Sequence, residues 1–328
     1  MSAISILYEK TVAQVLTPDG ETEFFEVVAG VLQGDTLAPF LFIIALDYAL
    51  RIAMKEQTFG FTLEERQSAR KPAKYLTDAN FADDIALISN YNHEAQILLQ
   101  RLEAAGSSIG LHINHAKTEY MRFNQVEADI VTMNKKKIKQ VKDFKYLGSW
   151  IATSKKDMEV RIGLAWKALN KMRTVWKSNL KRSLKVQFFR AIVESVLLYG
   201  SETWTLKKAM DKRLDGAYMR MLRVALGHTW QEHLKNGELY GKLNKVTSEL
   251  LQRRLRFIGH MWRRREEIIS DVLLWEPKEG RRRQGRPALT YVDQLRSDTQ
   301  LTIDELRFLM SQRDDWRKLI QIVRGNSN

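Results

Sequence analysis

The spacing of apolar residues changes near residue 153, and this change most limits the folds open to the chain. Before that point short strand-like runs alternate with helical stretches, whereas residues 153–328 repeat their apolar side chains at helical spacing almost throughout. The pattern predicts an α+β domain followed by a mostly helical body. With 328 residues, 44% of them hydrophobic, the chain is long enough for two or three domains.

Charge is distributed unevenly along the chain. Residues 1–110 hold 8 basic and 15 acidic residues, a net charge of −7, while residues 111–250 carry +15 and residues 251–328 carry +6. An acidic first part followed by a basic body is more typical of an enzyme that acts on nucleic acid than of a packing protein. An unevenly charged solvated surface is the alternative, and charge counting leaves it open.

Composition excludes several kinds of site. The chain has no Cys, which excludes disulfide frameworks and every Cys-containing zinc site. It has no uncharged apolar run of 18 residues and no signal-peptide pattern at its start, so we expect an intracellular protein without a membrane span. His112 and His115 lie three apart without Cys or acidic companions, and we interpret them as ordinary turn residues.

Local signals outline the first domain. Thr17-Pro18-Asp19-Gly20 is a turn signal between strand-like runs within residues 6–28, and residues 30–39 are predicted to form a loop. Residues 40–50 are almost wholly apolar, which predicts a mostly buried helix. Residues 94–109 have helical spacing, with Gly106 and Gly110 as stop signals.

Two adjacent carboxylates, Asp83 and Asp84, lie between two apolar runs in the segment Phe81-Ala82-Asp83-Asp84. Like charges at a hairpin tip repel each other, and a divalent cation would relieve that repulsion. Mg²⁺ favours one or two protein carboxylates plus phosphate oxygens, as in two-metal phosphoryl transfer. Surface turns are also rich in Asp, so this pair alone is a weak signal.

Three further segments each allow two interpretations, one as a functional site and one as an ordinary structural element. Gly30 and Gly34 flank Gln33 ahead of the predicted helix, typical of backbone that a flat ligand approaches closely, or of a simple turn. Lys117 lies in a turn, where it could give a proton or a charge to a phosphate, or simply be solvated. Residues 144–150 are aromatic and basic, which suits a nucleic-acid backbone or a core strand.

In this order the four segments resemble the palm of a reverse transcriptase. Their residues are most similar to those of non-LTR (LINE-type) retrotransposon polymerases. A group II intron or telomerase relative is less favoured. The resemblance covers residues 5–152. It implies catalytic metal ligands (Asp83 and Asp84), a proton donor to pyrophosphate (Lys117), template or nucleotide contacts (Gln33 and Gly34) and a primer grip (Tyr146, Leu147 and Gly148).

The resemblance also implies an activity and a domain order. An intact parent would be an RNA-directed DNA polymerase that extends a DNA primer on an RNA template, using dNTPs and Mg²⁺ (or Mn²⁺). By position, residues 1–152 would be a partial palm, residues 153–250 a helical thumb-like region, and residues 251–328 a basic C-terminal helical extension.

One departure from the family pattern bears on activity. Family members carry another metal-binding Asp, usually next to Phe, upstream of the glycine segment, and no acidic residue between Met1 and Gly30 has that context. We therefore expect the chain to begin just after that block, without fingers, and to be inert alone, although a fusion or a complementing partner could restore it. A non-catalytic nucleic-acid-binding remnant is the alternative.

The basic body holds several candidate phosphate contacts. One group falls partly on one face of a predicted helix: Lys155, Lys156, Arg161, Lys167, Lys171, Arg173 and Lys177. Two arginine runs could bind phosphate, insert in a minor groove or direct the chain to the nucleus: Arg263 and Arg264, and Arg281, Arg282 and Arg283.

Overall fold

A computed structural model describes residues 2–55, 59–123, 130–132, 135–151, 153–241, 243–264, 267–276 and 289–326. The chain divides into two compact units: unit 1 comprises residues 1–62 and 77–140, and unit 2 comprises residues 63–76 and 141–328. The combination of strand pairs and helices confirms the α+β class. The labels palm, thumb and extension stay predictions.

Unit 1 begins with helix α1 and four two-residue strands: α1 (Ser2–Tyr8), β1 (Val12–Ala13), β2 (Leu16–Thr17), β3 (Gly20–Glu21) and β4 (Phe25–Glu26). Strands β2 and β3 pair antiparallel around the predicted Pro18-Asp19-Gly20 turn, and β1 pairs with β4. Ile6, interpreted from sequence as part of a strand-like run, instead lies in α1.

Helix α2 (Ala38–Ala53) follows the predicted loop, with Pro39 in its first turn. The expected helix is present, but the expectation that it is mostly buried is wrong. Phe40 and Ile44 are each 65% exposed, and Tyr48 is exposed as well, so one apolar stripe of the helix faces solvent. The opposite stripe, which includes Leu46 and Ala49, is buried.

Three strand pairs and one helix complete the first half of the chain: β5 (Phe61–Glu64) with β6 (Lys74–Leu76), β7 (Asp78–Phe81) with β8 (Asp84–Leu87), α3 (Asn92–Ser108), and β9 (Glu119–Tyr120) with β10 (Lys139–Gln140). Helices α2 and α3 pack through Ala49 and Leu102, and Leu87 of β8 joins the same core. Gly110, with φ 78°, follows the end of α3, whereas the predicted stop Gly106 lies inside the helix.

Residues 63–76 belong to unit 2, although unit 1 precedes and follows them in sequence. Trp275 donates a hydrogen bond from its indole nitrogen to the carbonyl oxygen of Leu63 at 2.9 Å. Lys74 forms an ion pair with Asp271. Contacts distant in sequence therefore hold this segment to the helical part of the chain.

Unit 2 continues with a short hairpin and a run of helices: β11 (Lys145–Tyr146), β12 (Ser149–Trp150), α4 (Ser154–Lys171), α5 (Arg173–Lys177), α6 (Arg182–Phe188), a π-helical stretch (Phe189–Glu194), α7 (Ser195–Leu197), α8 (Lys208–Leu226), α9 (Asn236–Tyr240) and α10 (Val246–Trp262). Two 3₁₀ turns, Ser201–Thr203 and Trp230–Glu232, lie between them. The main core is built around Leu169, Trp204 and Tyr218.

A second core of unit 2 lies at the C-terminal end. It contains α11 (Ile269–Leu273), α12 (Tyr291–Thr299), α13 (Ile303–Ser311) and α14 (Arg313–Asn326), which pack on α10 through residues such as Leu255, Leu306 and Trp316. The last three of these helices, α12 to α14, follow one another closely between residues 291 and 326. Among the helices that the structure describes, none is long and apolar enough to cross a membrane.

Candidate functional site

The predicted carboxylate pair lies at the tip of the β7–β8 hairpin. The strands pair antiparallel from Asp78 with Leu87 to Phe81 with Asp84, which leaves Ala82 and Asp83 as a two-residue turn. Ala82 has φ 51°, the positive value that one position of such a tight hairpin turn requires. The turn therefore projects Asp83 and Asp84 from the end of the hairpin, where both are exposed.

The two faces of this hairpin differ. Residues directly opposite each other in an antiparallel pair share a face, and successive residues alternate between faces. Ile85 and Leu87 pack against α2 and α3, so they define the core face. Phe81, 65% exposed, and its partner Asp84 lie on the other face. The side of the hairpin that carries Asp84 is therefore open.

A two-ion metal centre needs more ligands than this tip supplies. No group of three or more His, Asp or Glu side chains that could hold a metal ion occurs among the described residues. Mg²⁺ binds through one or two carboxylates together with substrate phosphates, so the pair suits a partial site. It does not complete the two-ion arrangement, in which carboxylates on both sides hold the ions.

The glycine loop ahead of α2 has the conformation that its glycines allow. Gly30 and Gly34 have φ values of 92° and 98°, and no atom lies within 4 Å of a Cβ built on either. The glycines are thus required by backbone conformation and leave open space around the loop. Gln33, the predicted template or nucleotide contact, is exposed beside Gly34.

Asp35 fixes the conformation of this loop through hydrogen bonds, and it was not predicted from the sequence. Its carboxylate accepts a hydrogen bond from the Tyr8 hydroxyl at 2.5 Å and one from the backbone nitrogen of Leu37 at 3.1 Å. The Tyr8 hydrogen bond is the main reason that the pKa of Asp35 is lowered. An Asp two residues before a helical run is a turn signal that could have identified it.

Lys117 lies in a turn, as predicted, and its side chain is exposed. The side-chain oxygen of Asn114 accepts hydrogen bonds from the backbone nitrogens of Ala116 and Lys117, both at 3.2 Å. His115, expected to be an ordinary turn residue, lies 3.3 Å from the buried carboxylate of Glu103. This contact ties the turn to α3.

The predicted primer grip is a hairpin turn in unit 2. Leu147 and Gly148 connect β11 and β12 with φ values of 47° and 81°, the conformation of a tight two-residue turn. The Tyr199 hydroxyl donates to the Leu147 carbonyl at 2.9 Å, and Arg161 donates to the Gly148 carbonyl at 2.5 Å. Both carbonyl groups of the turn are therefore held by side chains of the helical body.

The buried carboxylate of Asp157 is hydrogen-bonded to the same hairpin. Asp157 is 2% exposed and accepts hydrogen bonds from the backbone nitrogen of Trp150 at 3.2 Å and from the Trp204 indole at 2.8 Å. The Arg161 guanidinium stacks 4.3 Å from the ring centre of Tyr199. Arg161 was predicted to be one of the phosphate contacts on a helix face, and the structure corrects this, because its side chain is buried at the hairpin.

The site residues therefore fall into two groups. Asp83, Asp84 and Lys117 belong to unit 1 together with the glycine loop, whereas the hairpin turn at Leu147 belongs to unit 2. Of the predicted arginines, Arg263 and Arg264 are described, while Arg281, Arg282 and Arg283 lie outside the described residues.

Known proteins resemble both the first part of the chain and residues beyond it. Residues 2–151 match the family model of reverse transcriptase (RNA-dependent DNA polymerase). Over 243 residues the chain is 28% identical to an uncharacterized transposon-derived protein of Caenorhabditis elegans, an alignment that covers 70% of this chain and 87% of the relative. The predicted likeness to reverse transcriptases is confirmed for residues 2–151, and the likeness to a transposon-derived protein extends beyond them.

Proposed function

We propose that this chain is part of a retrotransposon reverse transcriptase of the non-LTR (LINE) type. Residues 1–152 would be a partial palm, residues 153–250 a helical thumb-like region and residues 251–328 a basic C-terminal helical extension. The observation that carries the proposal is the Asp83–Asp84 hairpin tip, which belongs to the same unit as the positive-φ glycine loop before α2. The family match over the same residues supports it.

The partners follow from this assignment: an RNA template, a DNA primer, dNTPs and Mg²⁺ or Mn²⁺. Asp83 and Asp84 are the proposed metal ligands, and Lys117 is the proposed donor of a proton to pyrophosphate. The glycine loop with Gln33 would face the template or nucleotide. The open face of the β7–β8 hairpin and the open space around Gly34 support these roles, because a bound template or nucleotide needs space beside the backbone.

We further propose that these 328 residues do not catalyse nucleotidyl transfer alone. No group of three or more potential metal ligands occurs among the described residues, so Asp83 and Asp84 leave a two-ion centre incomplete. A second polypeptide that contributes a third carboxylate, or the same segment fused to this chain, would complete it. The exposed apolar stripe of α2 is further surface that such a segment would cover.

Primer extension tests the assignment. The purified chain is assayed on an RNA template with a DNA primer and Mg²⁺ or Mn²⁺, alone and with the upstream half of a related full-length reverse transcriptase. We expect extension only in the complemented mixture. Asp83→Ala should abolish it, while Asp19→Ala, which removes a carboxylate from an exposed turn of unit 1, should not.

Two outcomes contradict the proposal. Extension by the chain alone that Asp83→Ala abolishes would show that the chain is not inert. Extension in the complemented mixture that survives Asp83→Ala would remove the metal-binding role of this hairpin tip.

A non-catalytic nucleic-acid-binding remnant is the second candidate. The incomplete carboxylate set favours it, as does the +15 net charge of residues 111–250. Nucleic-acid binding that weakens steeply with salt, together with no extension in any complemented mixture, is the expected result for a remnant.

A further inference from the structure

Arg263 lies where the end of α10 meets the junction between α13 and α14. It donates a hydrogen bond from one terminal nitrogen to the carbonyl oxygen of Met310 at 3.0 Å. The neighbouring Trp262 donates to the hydroxyl of Ser311 at 3.1 Å. These contacts fix the Arg263 guanidinium within three residues of the start of α14, and its other N–H groups are available for a ligand.

Two more arginines, Arg313 and Arg317, begin α14 at the same junction. Both are exposed, and residues four apart on a helix have Cβ atoms about 5–6 Å from each other. Burial lowers the pKa of Arg263, and the positive charges of Arg313 and Arg317 lower it further. The charges of Arg313 and Arg317 therefore act on the Arg263 guanidinium, which is hydrogen-bonded to Met310, three residues before Arg313.

The carboxylates near this cluster neutralise it only in part. Asp314 pairs with Arg317 at 3.3 Å, and Asp315 pairs with Lys318 at 3.0 Å. Both pairs are exposed, and exposed ion pairs hold their partners weakly, so a phosphate can compete for the arginine. The N-terminal end of α14 adds the positive end of its helix dipole to the same region.

We propose that Arg263, Arg313 and Arg317 form a phosphate-binding site for the sugar–phosphate backbone of nucleic acid. The planar guanidinium group binds phosphate oxygens through two parallel hydrogen bonds, and a bound phosphate relieves the repulsion among three cations. The choice of nucleic acid as the source of the phosphate rests on the proposed function. The phosphate chemistry rests on the arginine cluster.

Two other arginines of the same core lie outside the cluster and serve as controls. Arg296 lies 3.8 Å from Asp293, and Arg307 lies 3.2 Å from Asp304. Neither was predicted to contact nucleic acid. Removing Arg296 and Arg307 changes the net charge by the same amount as removing Arg313 and Arg317, but leaves the cluster intact.

The test compares Arg313→Gln/Arg317→Gln with Arg296→Gln/Arg307→Gln in the full chain. Fluorescence anisotropy with labelled single-stranded RNA and duplex DNA gives the affinity over a range of salt concentrations. The cluster variant should bind at least about tenfold more weakly at low salt, and its salt slope should fall by about one to two, since each phosphate contact contributes about 0.7–0.9 to that slope. The control variant should stay within about threefold of the parent.

Equal losses in the two variants would overturn the proposal, because they would show that only total charge matters. Phosphatidylserine vesicles form a second arm: loss of vesicle binding with unchanged nucleic-acid binding would assign the cluster to a membrane and also overturn it. Near-UV circular dichroism confirms that both variants remain folded. Failure of primer extension leaves this binding result unaffected, so the two proposals can fail separately.

Discussion

Gly259 of α10 faces the buried indole of Trp316, and replacing it with Ala tests the packing of the C-terminal core. A Cβ built on Gly259 would lie 2.2 Å from the indole nitrogen and 2.5 Å from Cδ1. Trp316 is 2% exposed and donates from that nitrogen to the Leu255 carbonyl at 2.8 Å. The added methyl group can be accommodated only if the indole moves and this hydrogen bond breaks.

The expected cost of Gly259→Ala follows from three contributions. Overpacking a core costs roughly 1–3 kcal/mol. A buried donor that loses its partner costs roughly 1–3 kcal/mol more. The higher helix propensity of Ala offsets about 1 kcal/mol of this. We therefore expect the free energy of unfolding to fall by roughly 1–5 kcal/mol.

Urea unfolding followed by the near-UV circular dichroism of tryptophan measures this loss. Gly163→Ala is the matched control, since Gly163 is a helical glycine with no atom within 4 Å of its built Cβ. Gly163→Ala should raise the free energy of unfolding by roughly 0.5–1 kcal/mol. If Gly259→Ala is as stable as Gly163→Ala, the close approach of Trp316 is refuted. Adding Trp316→Phe to Gly259→Ala should cost less than the two separate losses together, because the smaller ring makes room for the methyl group.

Three further changes have defined outcomes. Burial raises the pKa of Asp211 from 3.8 to about 6 in the folded protein. The Asp211 carboxyl therefore lowers the free energy of unfolding as the pH rises from about 4 to about 6, and the loss persists at higher pH. Asp211→Asn should remove that slope and be more stable than the parent above about pH 6, by thermal unfolding across this pH range. Tyr199→Phe should lower the free energy of unfolding by about 0.5–1.5 kcal/mol and speed amide exchange near Leu147, and a protection pattern unchanged from the parent would contradict it. Trp275→Phe should speed amide exchange in the strand at Leu63, whose carbonyl loses its indole donor, and unchanged exchange there would contradict this expectation.

Local signals in the sequence predicted much of the framework. The hairpin at Asp19, the loop and helix after Gly30 and the hairpin tip at Asp83 are all present. Each depends on residues within a few positions of one another, either a turn residue between short strands or a helical repeat. Such features can be predicted from one sequence because their causes are local.

Burial was predicted less well because it depends on partners that are distant in sequence. The apolar residues of α2 favour burial, yet Phe40 and Ile44 have no covering element in the described structure and are exposed. Arg161 shows the opposite case. It was predicted to be a phosphate contact on a helix face, but the carbonyl of Gly148 and the ring of Tyr199, 13 positions before it and 38 after it, make its burial possible.

The family resemblance identified site residues but not the contacts that position them. Asp157 and Asp35 each accept two hydrogen bonds that hold a predicted site element, and neither was singled out from the sequence. A turn signal can mark a residue such as Asp35, but donors distant in sequence, such as Tyr8 for Asp35 and Trp204 for Asp157, are known only once the chain is folded.

The division of the chain has a consequence for its covalent connectivity. Because residues 63–76 are part of unit 2, the backbone passes between the units three times, after residues 62, 76 and 140. A single protease cut near residue 140 would leave residues 63–76 on the N-terminal fragment while their partners, Asp271 and Trp275, are on the C-terminal one. The two fragments should therefore remain associated after such a cut. A chain truncated after residue 152 would keep residues 63–76 but lose Asp271 and Trp275, the partners that hold this segment.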